Sequence, residues 1–523
     1  MFHEPGKARA LLKKLRLDMA PVENSGILDD PAGPSAITHH RPDAPIPGEE
    51  SPARPRTKSA FARHDWIAGL ACLVFDVVGW ILVYGTVSYL RRDIFFTGPF
   101  EFVLVDVIQV VVICQALFMI GGYDRNNDKR TLTYTTEHIL AMMGAATVSS
   151  LLIYSAAAFD SSIRPSRGVM LLSFVVFLPW SILYRRMIQN FLAQSTAARA
   201  FLVIGSGELA ARFYEAYQRS ANRQRLEFVD IERERIGQHI AGSGSPLIEG
   251  DLATKLANLN ERYSGVVLAE RVDRIRPELL EHLVRTQFQK TRVYTLESFY
   301  EAHWRHVPIH SIDPFWPLQM GFQLARNSPY HYLKRLCDVV FATTLLVISS
   351  PLLVLIALAV RVVEGKPILF KQERLGREGE VFTVYKFRTM RTGVANGETV
   401  DIYTRADDPR ITRTGRWLRK LRLDELPQLW NVLRGDMSLI GPRAEWVKCA
   451  EQYEQKIPFY HFRHLVKPGI TGWAQVNYPY GESDEDAIEK LKYDLYYIRH
   501  YSLKLDAMIV LKTIHTVLFG KGR

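Results

Sequence analysis

Two adjacent carboxylates, Asp424 and Glu425, lie in the run GRWLRKLRLDELPQLWNVLRGDMSLIGPR, from Gly415 to Arg443, with Arg419, Lys420 and Arg422 just before them. Pro427 suits the first turn of a helix, Leu426, Leu429, Trp430 and Leu433 recur as its apolar stripe, and Gly435 closes it. Asp424 then sits at the positive end of a helix dipole, and that field together with the three cations predicts an ionised carboxylate. Such a group can act as a nucleophile. The alternative is that Asp424 merely caps the helix and Glu425 is a solvated acid of its first turn. Lys386 and Arg388 alternate with Tyr385 and Phe387, so in a strand both cations point one way and suit phosphate oxygens. Arg443 follows Gly441 and Pro442 in a turn aimed back past the helix, which makes it a third phosphate-binding candidate.

Further blocks accompany these residues in order: Lys334, Arg335 and Asp338, the break at Ser350 and Pro351, YKFRTM from Tyr385, DPRIT from Asp408, and KPGITG from Lys467. With them, residues Lys334 to Arg523 resemble the bacterial sugar transferases that act on polyprenyl phosphate, the monotopic phosphoglycosyl transferases of exopolysaccharide and O-antigen assembly. The membrane front and Gly-rich middle of the chain make it similar to the large members. The resemblance implies transfer of a hexose 1-phosphate from a UDP-sugar to undecaprenyl phosphate, giving undecaprenyl diphosphate sugar and UMP. UDP-glucose and UDP-galactose are the donors it suggests, and the residues do not choose between the epimers. It further implies that Asp424 forms a covalent aspartyl-phosphosugar intermediate, with Mg2+ held at Asp424 and Glu425 to neutralise the diphosphate. Glu425 either binds that metal or assists proton transfer. Relatives mostly read Pro-Arg-Pro where this chain has Ala444 after Arg443, which bears on the rigidity of the turn and not on the arginine. Two other classes are the alternatives: a non-catalytic membrane scaffold of a polysaccharide assembly complex, which predicts no UMP release, and an NAD enzyme, which leaves the DELPQL block unexplained.

The elements that must position these residues follow from the whole chain. At 523 residues three or four units are expected, and a net charge of +11 points to an anionic partner. No nucleic-acid recognition module is evident. Cys72, Cys114, Cys337 and Cys449 show neither paired spacing nor a CxxC and read as free thiols. Residues 1–60 read as a basic and then proline-rich disordered N-terminus without a signal-peptide core. Four apolar segments near 66–90, 102–122, 138–159 and 168–184 predict a four-helix transmembrane bundle within 61–190. Asp76 and Asp106 lie inside or near them, either as functional groups or as helix-pairing or protonated acids.

AFLVIGSGELAARFYEAY from Ala200 reads as strand, glycine turn and helix, the start of a Rossmann-like α/β domain over 198–300, with Asp230 either a ribose contact or part of a scaffold that binds nothing. Residues 301–330 read as a connector whose histidines are structural. The apolar run from Val339 to Val360 is long enough to span. Its flanks, Lys334 and Arg335 before and Arg361, Lys366 and Lys371 after, are basic on both sides, and Ser349, Ser350 and Pro351 interrupt it. A re-entrant helix over 336–362 fits both facts, and a kinked spanning helix is the alternative. The fold class is thus a multidomain membrane protein ending in a re-entrant-helix monotopic α/β catalytic domain, 331–523.

Basic residues at Arg54, Arg56, Lys58 and Arg63, at Arg125, Lys129 and Arg130, and at Arg185 and Arg186 favour a cytoplasmic N-terminus, with Arg91 and Arg92 against it. The expected location is the bacterial inner membrane, multi-pass, with the catalytic domain facing the cytoplasm. Aromatic and basic C-terminal segments suit contact with membrane lipids, and a homodimer through the middle or membrane domains is compatible with the resemblance.

Overall fold

The computed structural model describes residues 65–518 apart from 93–98, 125–126, 160–164, 198, 221–223, 251, 258, 272–273, 290, 313–315, 317–321, 323–327, 392–407, 409 and 479–482. The basic and proline-rich N-terminus, Arg125 and Pro409 lie outside the described residues. Four helices come first among the described residues, α1 (Asp65–Arg92), α2 (Pro99–Met119), α3 (Leu132–Ala156) and α4 (Arg167–Ala197). They meet around Trp80, Ile113, Met142 and Phe177, while Leu151, Leu171 and Met187 remain exposed, an outward apolar surface suited to lipid. Among the described residues four helices are long and apolar enough to cross a membrane: Trp66–Arg91, Leu132–Ala156, Arg167–Phe191 and, beyond the bundle, Tyr330–Val363. α2 adds a shorter apolar stretch, Val105–Met119.

The two bundle acids have different surroundings. Asp76 is buried and accepts from Arg185 at 2.9 and 2.5 Å, from Tyr123 at 2.7 Å, and from Tyr184. It joins α1 to α4, the helix-pairing role. Asp106 is also buried, yet among the described residues its carboxylate oxygens have no hydrogen-bond partner.

The middle domain is a five-stranded parallel sheet in the order β3-β2-β1-β4-β5, built from β1 (Ala200–Ile204), β2 (Arg225–Val229), β3 (Ile248–Glu249), β4 (Tyr263–Leu268) and β5 (Arg292–Thr295). β1 is apolar throughout and wholly buried, as a central strand of a two-sided parallel sheet must be. Gly205 turns the chain into α5 (Glu208–Gln218) at φ +133°, and a Cβ there would lie 2.5 Å from the Ala269 carbonyl, so only glycine fits. Strand order reverses beside β1, where open sheets of this kind place ligands. Asp230 spends its carboxylate on the Glu232 and Arg235 amides at 3.2 and 2.9 Å, and Arg235 donates to the Ser206 carbonyl at 3.0 Å.

A single long helix, α6 (Tyr330–Val363), leads into the C-terminal domain. The hairpin β6 (Leu369–Leu375) and β7 (Val381–Phe387) follows, then α7 (Arg413–Lys420), α8 (Gln428–Arg434), and a parallel pair, β8 (Ser438–Ile440) with β9 (Gly469–Thr471). Helices α9 (Asp484–Arg499) and α10 (Leu503–Leu518) close the chain. Tyr453, Tyr460, Leu491, Leu495, Ile498 and Ile509 form its main core. Val307, Ile309, Trp316 and Phe322, from the expected connector, pack into that same core.

Both ends of α6 are fastened to this domain. At the start, Lys334 pairs with Asp506 at 2.5 Å, and Arg335 donates to the Val432 and Leu433 carbonyls of α8 at 2.6 and 2.8 Å. Asp338 accepts from the Ser438 hydroxyl at 3.1 Å and the Leu439 amide at 3.0 Å. At the other end Glu364 accepts from the Thr412 hydroxyl and lies 3.8 Å from Arg388. Pro351 sits inside α6 and denies a donor to the carbonyl four residues back, that of Val347. Ser350 supplies one, its hydroxyl donating to Val347 at 2.8 Å.

Helix α10 joins domain to bundle. Lys512 lies 3.5 Å from Glu137, Leu511 packs on the bundle core, and Lys504 sits 4.3 Å above the Phe118 ring. Arg305 adds a pair with Asp124 at 3.3 Å.

Candidate active site

The acid pair sits in a turn between two short helices. Arg422, in the left-handed region at φ 59°, ends α7, and Leu423–Glu425 make one 3-10 turn. Pro427 precedes α8, which Gly435 closes at φ +96° by giving its amide to the Asn431 and Val432 carbonyls. The expected apolar stripe differs in one member: Trp430 is 56% exposed, and Val432 takes its place in the core with Leu429. Asn431 is fully buried and latches α8 to β7, accepting from the Tyr385 amide at 3.2 Å and donating to the Thr383 carbonyl at 2.8 Å. That latch brings Lys386 beside the acids.

Lys386 and Arg443 converge on one oxygen, Oε1 of Glu425, at 2.8 and 3.0 Å. Burial alone would raise the Glu425 carboxyl, but Arg443 and Lys386 outweigh it and hold the group well below its ordinary value. Burial pushes the Lys386 amine down to about 8, against the pull of Glu425 and with Arg443 and Arg374 adding to the depression.

Asp424 behaves differently from the expectation. Both acids are about equally buried, at 8% exposure, yet among the described residues the Asp424 carboxylate takes no hydrogen bond or ion pair. Burial first, then the Glu425 charge, raise its carboxyl above the usual value, with Lys386, Arg419 and Arg443 pulling the other way. A helix of seven residues offers little dipole to reverse this. Asp424 is therefore a desolvated, relatively basic carboxylate, and Glu425 an ion locked between two cations.

The structure brings Lys386, Arg443, Asp424 and Glu425 together and sends Arg388 elsewhere. β7 ends at Phe387, and the buried Arg388 guanidinium donates to the carbonyls of Lys366 at 2.8 Å, Gly365 at 3.2 Å and Glu364. It caps the end of α6. The alternation that predicted a common direction with Lys386 fails because the carbonyls of Glu364, Gly365 and Lys366 capture the guanidinium. Ser350 and Pro351, the expected break, lie within α6. Arg374, Glu445, Arg463 and Asp494, from separate segments, gather behind Arg443, and no local spacing announces them.

No group of three or more His, Cys, Asp or Glu suited to a metal occurs among the described residues. Asp424, without a partner, and the second Glu425 oxygen are compatible with Mg2+, which takes one or two carboxylates and completes its shell with water and substrate phosphates.

Architecture and site together describe a helix-anchored membrane protein with a C-terminal α/β domain carrying a buried acid pair among cations. Residues 329–520 match the family model described as bacterial sugar transferase. The UDP-glucose:undecaprenyl-phosphate glucose-1-phosphate transferase of Xanthomonas campestris pv. campestris is 31% identical over 480 residues, which are 88% of this chain and 96% of that protein. The chain belongs to the bacterial sugar transferase family. The UDP-N-acetylgalactosamine-undecaprenyl-phosphate N-acetylgalactosaminephosphotransferase of Aeromonas hydrophila is 40% identical over 262 residues, 50% of this chain and 60% of that protein. The UDP-glucose:undecaprenyl-phosphate glucose-1-phosphate transferase of Escherichia coli K12 is 38% identical over 285 residues, 54% and 59% respectively, so these two alignments span about three fifths of each relative.

Proposed function

We propose that this protein transfers a hexose 1-phosphate from a UDP-sugar to undecaprenyl phosphate, the initiating step of exopolysaccharide or O-antigen synthesis. The observation that carries the reading is the contrast within the acid pair: Asp424 is buried and unpaired, while its neighbour Glu425 is fixed by Lys386 and Arg443. A desolvated carboxylate of raised basicity suits nucleophilic attack, and cations a few ångströms away suit the diphosphate. An Asp424 oxygen bonds to the sugar-bearing phosphorus, and the phosphorus bond to UMP breaks with UMP keeping the electron pair. An oxygen of undecaprenyl phosphate then attacks the same phosphorus and releases Asp424, giving undecaprenyl diphosphate sugar. When bound at Asp424 and Glu425, Mg2+ supplies neutralisation of the diphosphate charge. The glucose-specific names of two relatives make UDP-glucose the first donor to try.

The same reading puts the catalytic domain on the cytoplasmic side of the bacterial inner membrane. In support, α10 docks at the end of the bundle that carries Lys129, Arg130, Arg185 and Arg186, the end assigned to the cytoplasm by its basic residues. A re-entrant α6 belongs to this proposal. Straight, its 34 residues would reach about 50 Å, enough to cross, yet both its ends are held by polar side chains of one domain.

Radiolabelled UDP-glucose incubated with membranes tests the reading. We expect lipid label and UMP from wild type and neither from Asp424→Asn inserted at equal level; label at the wild-type rate in that variant defeats the nucleophile assignment. A wild-type protein releasing no UMP with any UDP-sugar favours a scaffold role.

A further inference from the structure

We infer that Arg374 and Arg463 are positioning residues for Arg443, holding by side-chain clamps a turn that has no proline at its third position. The inference rests on the proposed donor-phosphate role of Arg443.

The segment from Arg443 to Trp446 runs between two partners. Arg443 forms a β-bridge with Gly469, whose amide donates to the Pro442 carbonyl at 2.8 Å, and Trp446 forms a bridge with Arg374. Two arginines then seize consecutive carbonyls. Arg463 donates to the Arg443 carbonyl at 3.0 Å, and Arg374 donates to the Ala444 carbonyl. Each clamp is itself fixed. Arg463, buried, pairs with Asp494 at 2.9 Å and Glu445 at 3.4 Å and donates to the Tyr460 hydroxyl. Arg374 donates to Gln372 at 3.0 and 2.8 Å.

A peptide held at both carbonyls cannot rotate freely, so the Arg443 guanidinium starts from a fixed root when it reaches Glu425. Proline achieves the same end covalently, fixing its own φ and restricting the residue before it to the extended region. Arg443 is already extended in its bridge with Gly469. The Ala444 residue is buried at 4% exposure, and its amide faces Gly469 across that bridge. A proline at 444 therefore asks for no new backbone direction, and the Gly469 amide still holds the Pro442 carbonyl.

The clamp and the proline are thus interchangeable in function, which gives the test. Using full-length protein in nanodiscs, kcat and KM for UDP-glucose are measured for wild type, Arg463→Met, Arg374→Met, Ala444→Pro and each clamp variant combined with Ala444→Pro. We expect either clamp variant to raise KM for the donor about tenfold, Ala444→Pro alone to stay within about twofold of wild type, and the combinations to recover most of the loss. KM is independent of how much protein is folded, so a purely structural role would lower yield and melting temperature and leave KM unchanged. That result overturns the inference, as does failure of Ala444→Pro to rescue a folded clamp variant. Arg463→Met strands Asp494 and can fail to fold; Arg374→Met leaves no carboxylate behind and then carries the test. A wild-type protein inactive on every UDP-sugar defeats the functional reading, while an active wild type with indifferent clamp variants defeats only this one.

Discussion

Asp76 in the bundle and Asp424 in the catalytic domain are both buried carboxylates, and their surroundings are opposite. Asp76 receives Arg185 through two nitrogens and two tyrosine hydroxyls besides, so its charge is fully answered. Asp424 lies among Lys386, Arg419 and Arg443 with no bond to any of them, its nearest cations being committed to Glu425. A satisfied ion joins helices; a carboxylate without a protein partner, its oxygens left open, is available to a substrate. Burial alone does not separate the two roles. Partners separate this pair, while Asp106, buried in the bundle with no partner among the described residues, shows that an unanswered carboxylate is not by itself a reactive one.

That contrast can be broken by exchanging charge for an isosteric amide at each place. Asp424→Asn is expected to lower lipid labelling by about a thousandfold or more while leaving the melting temperature unchanged or raised, as measured by labelling assay and thermal unfolding in one preparation. Asp76→Asn should do the reverse. It leaves the Arg185 guanidinium buried against a neutral partner and should cost about 3–5 kcal/mol, seen as poor expression and early unfolding with an unchanged KM in whatever folds.

The pH profile sharpens the comparison. Lys386 is charged below about 8 and neutral above, so kcat/KM for the donor should fall as pH rises through about 8, by up to about tenfold per unit. Lys386→Arg, always charged, should move that fall to higher pH. Because the folded amine titrates below its ordinary 10.5, its charge works against folding below about 8, and this penalty fades as pH climbs toward the unfolded value. On the acid side Asp424, raised by burial and Glu425, should lose activity at a higher pH than an ordinary aspartate. The smallest effect belongs to Ser350→Ala. It removes the donor to the carbonyl that Pro351 leaves open and should cost about 1 kcal/mol in membrane-embedded stability, read by hydrogen exchange along α6.

Much of this was visible in the order of residues. Gly435, Pro427 and the apolar spacing marked α8, Gly205 marked the turn after β1, and Ser350 with Pro351 marked the place where a hydroxyl stands in for a lost backbone donor within a continuous α6. The four residues that the structure gathers, Asp424, Glu425, Lys386 and Arg443, could be chosen because each belongs to a dense local block. What stayed hidden depends on distant packing. Arg388 is diverted by carbonyls more than twenty positions earlier, Arg463 meets Asp494 31 positions later, and the raised Asp424 carboxyl reflects a net balance of burial over three cations. Periodicity reports which face a residue occupies, and carries no information on what waits there.

The fastening of α10 to the bundle through Lys512, Leu511 and Lys504 has a mechanical outcome. A domain attached to lipid by one helix alone would bob and tilt with the bilayer. Here the bundle works as a stanchion, its side-chain bolts fixing how far Asp424 stands from the bundle helices, so lengthening or shortening that mount would move the whole platform as one piece.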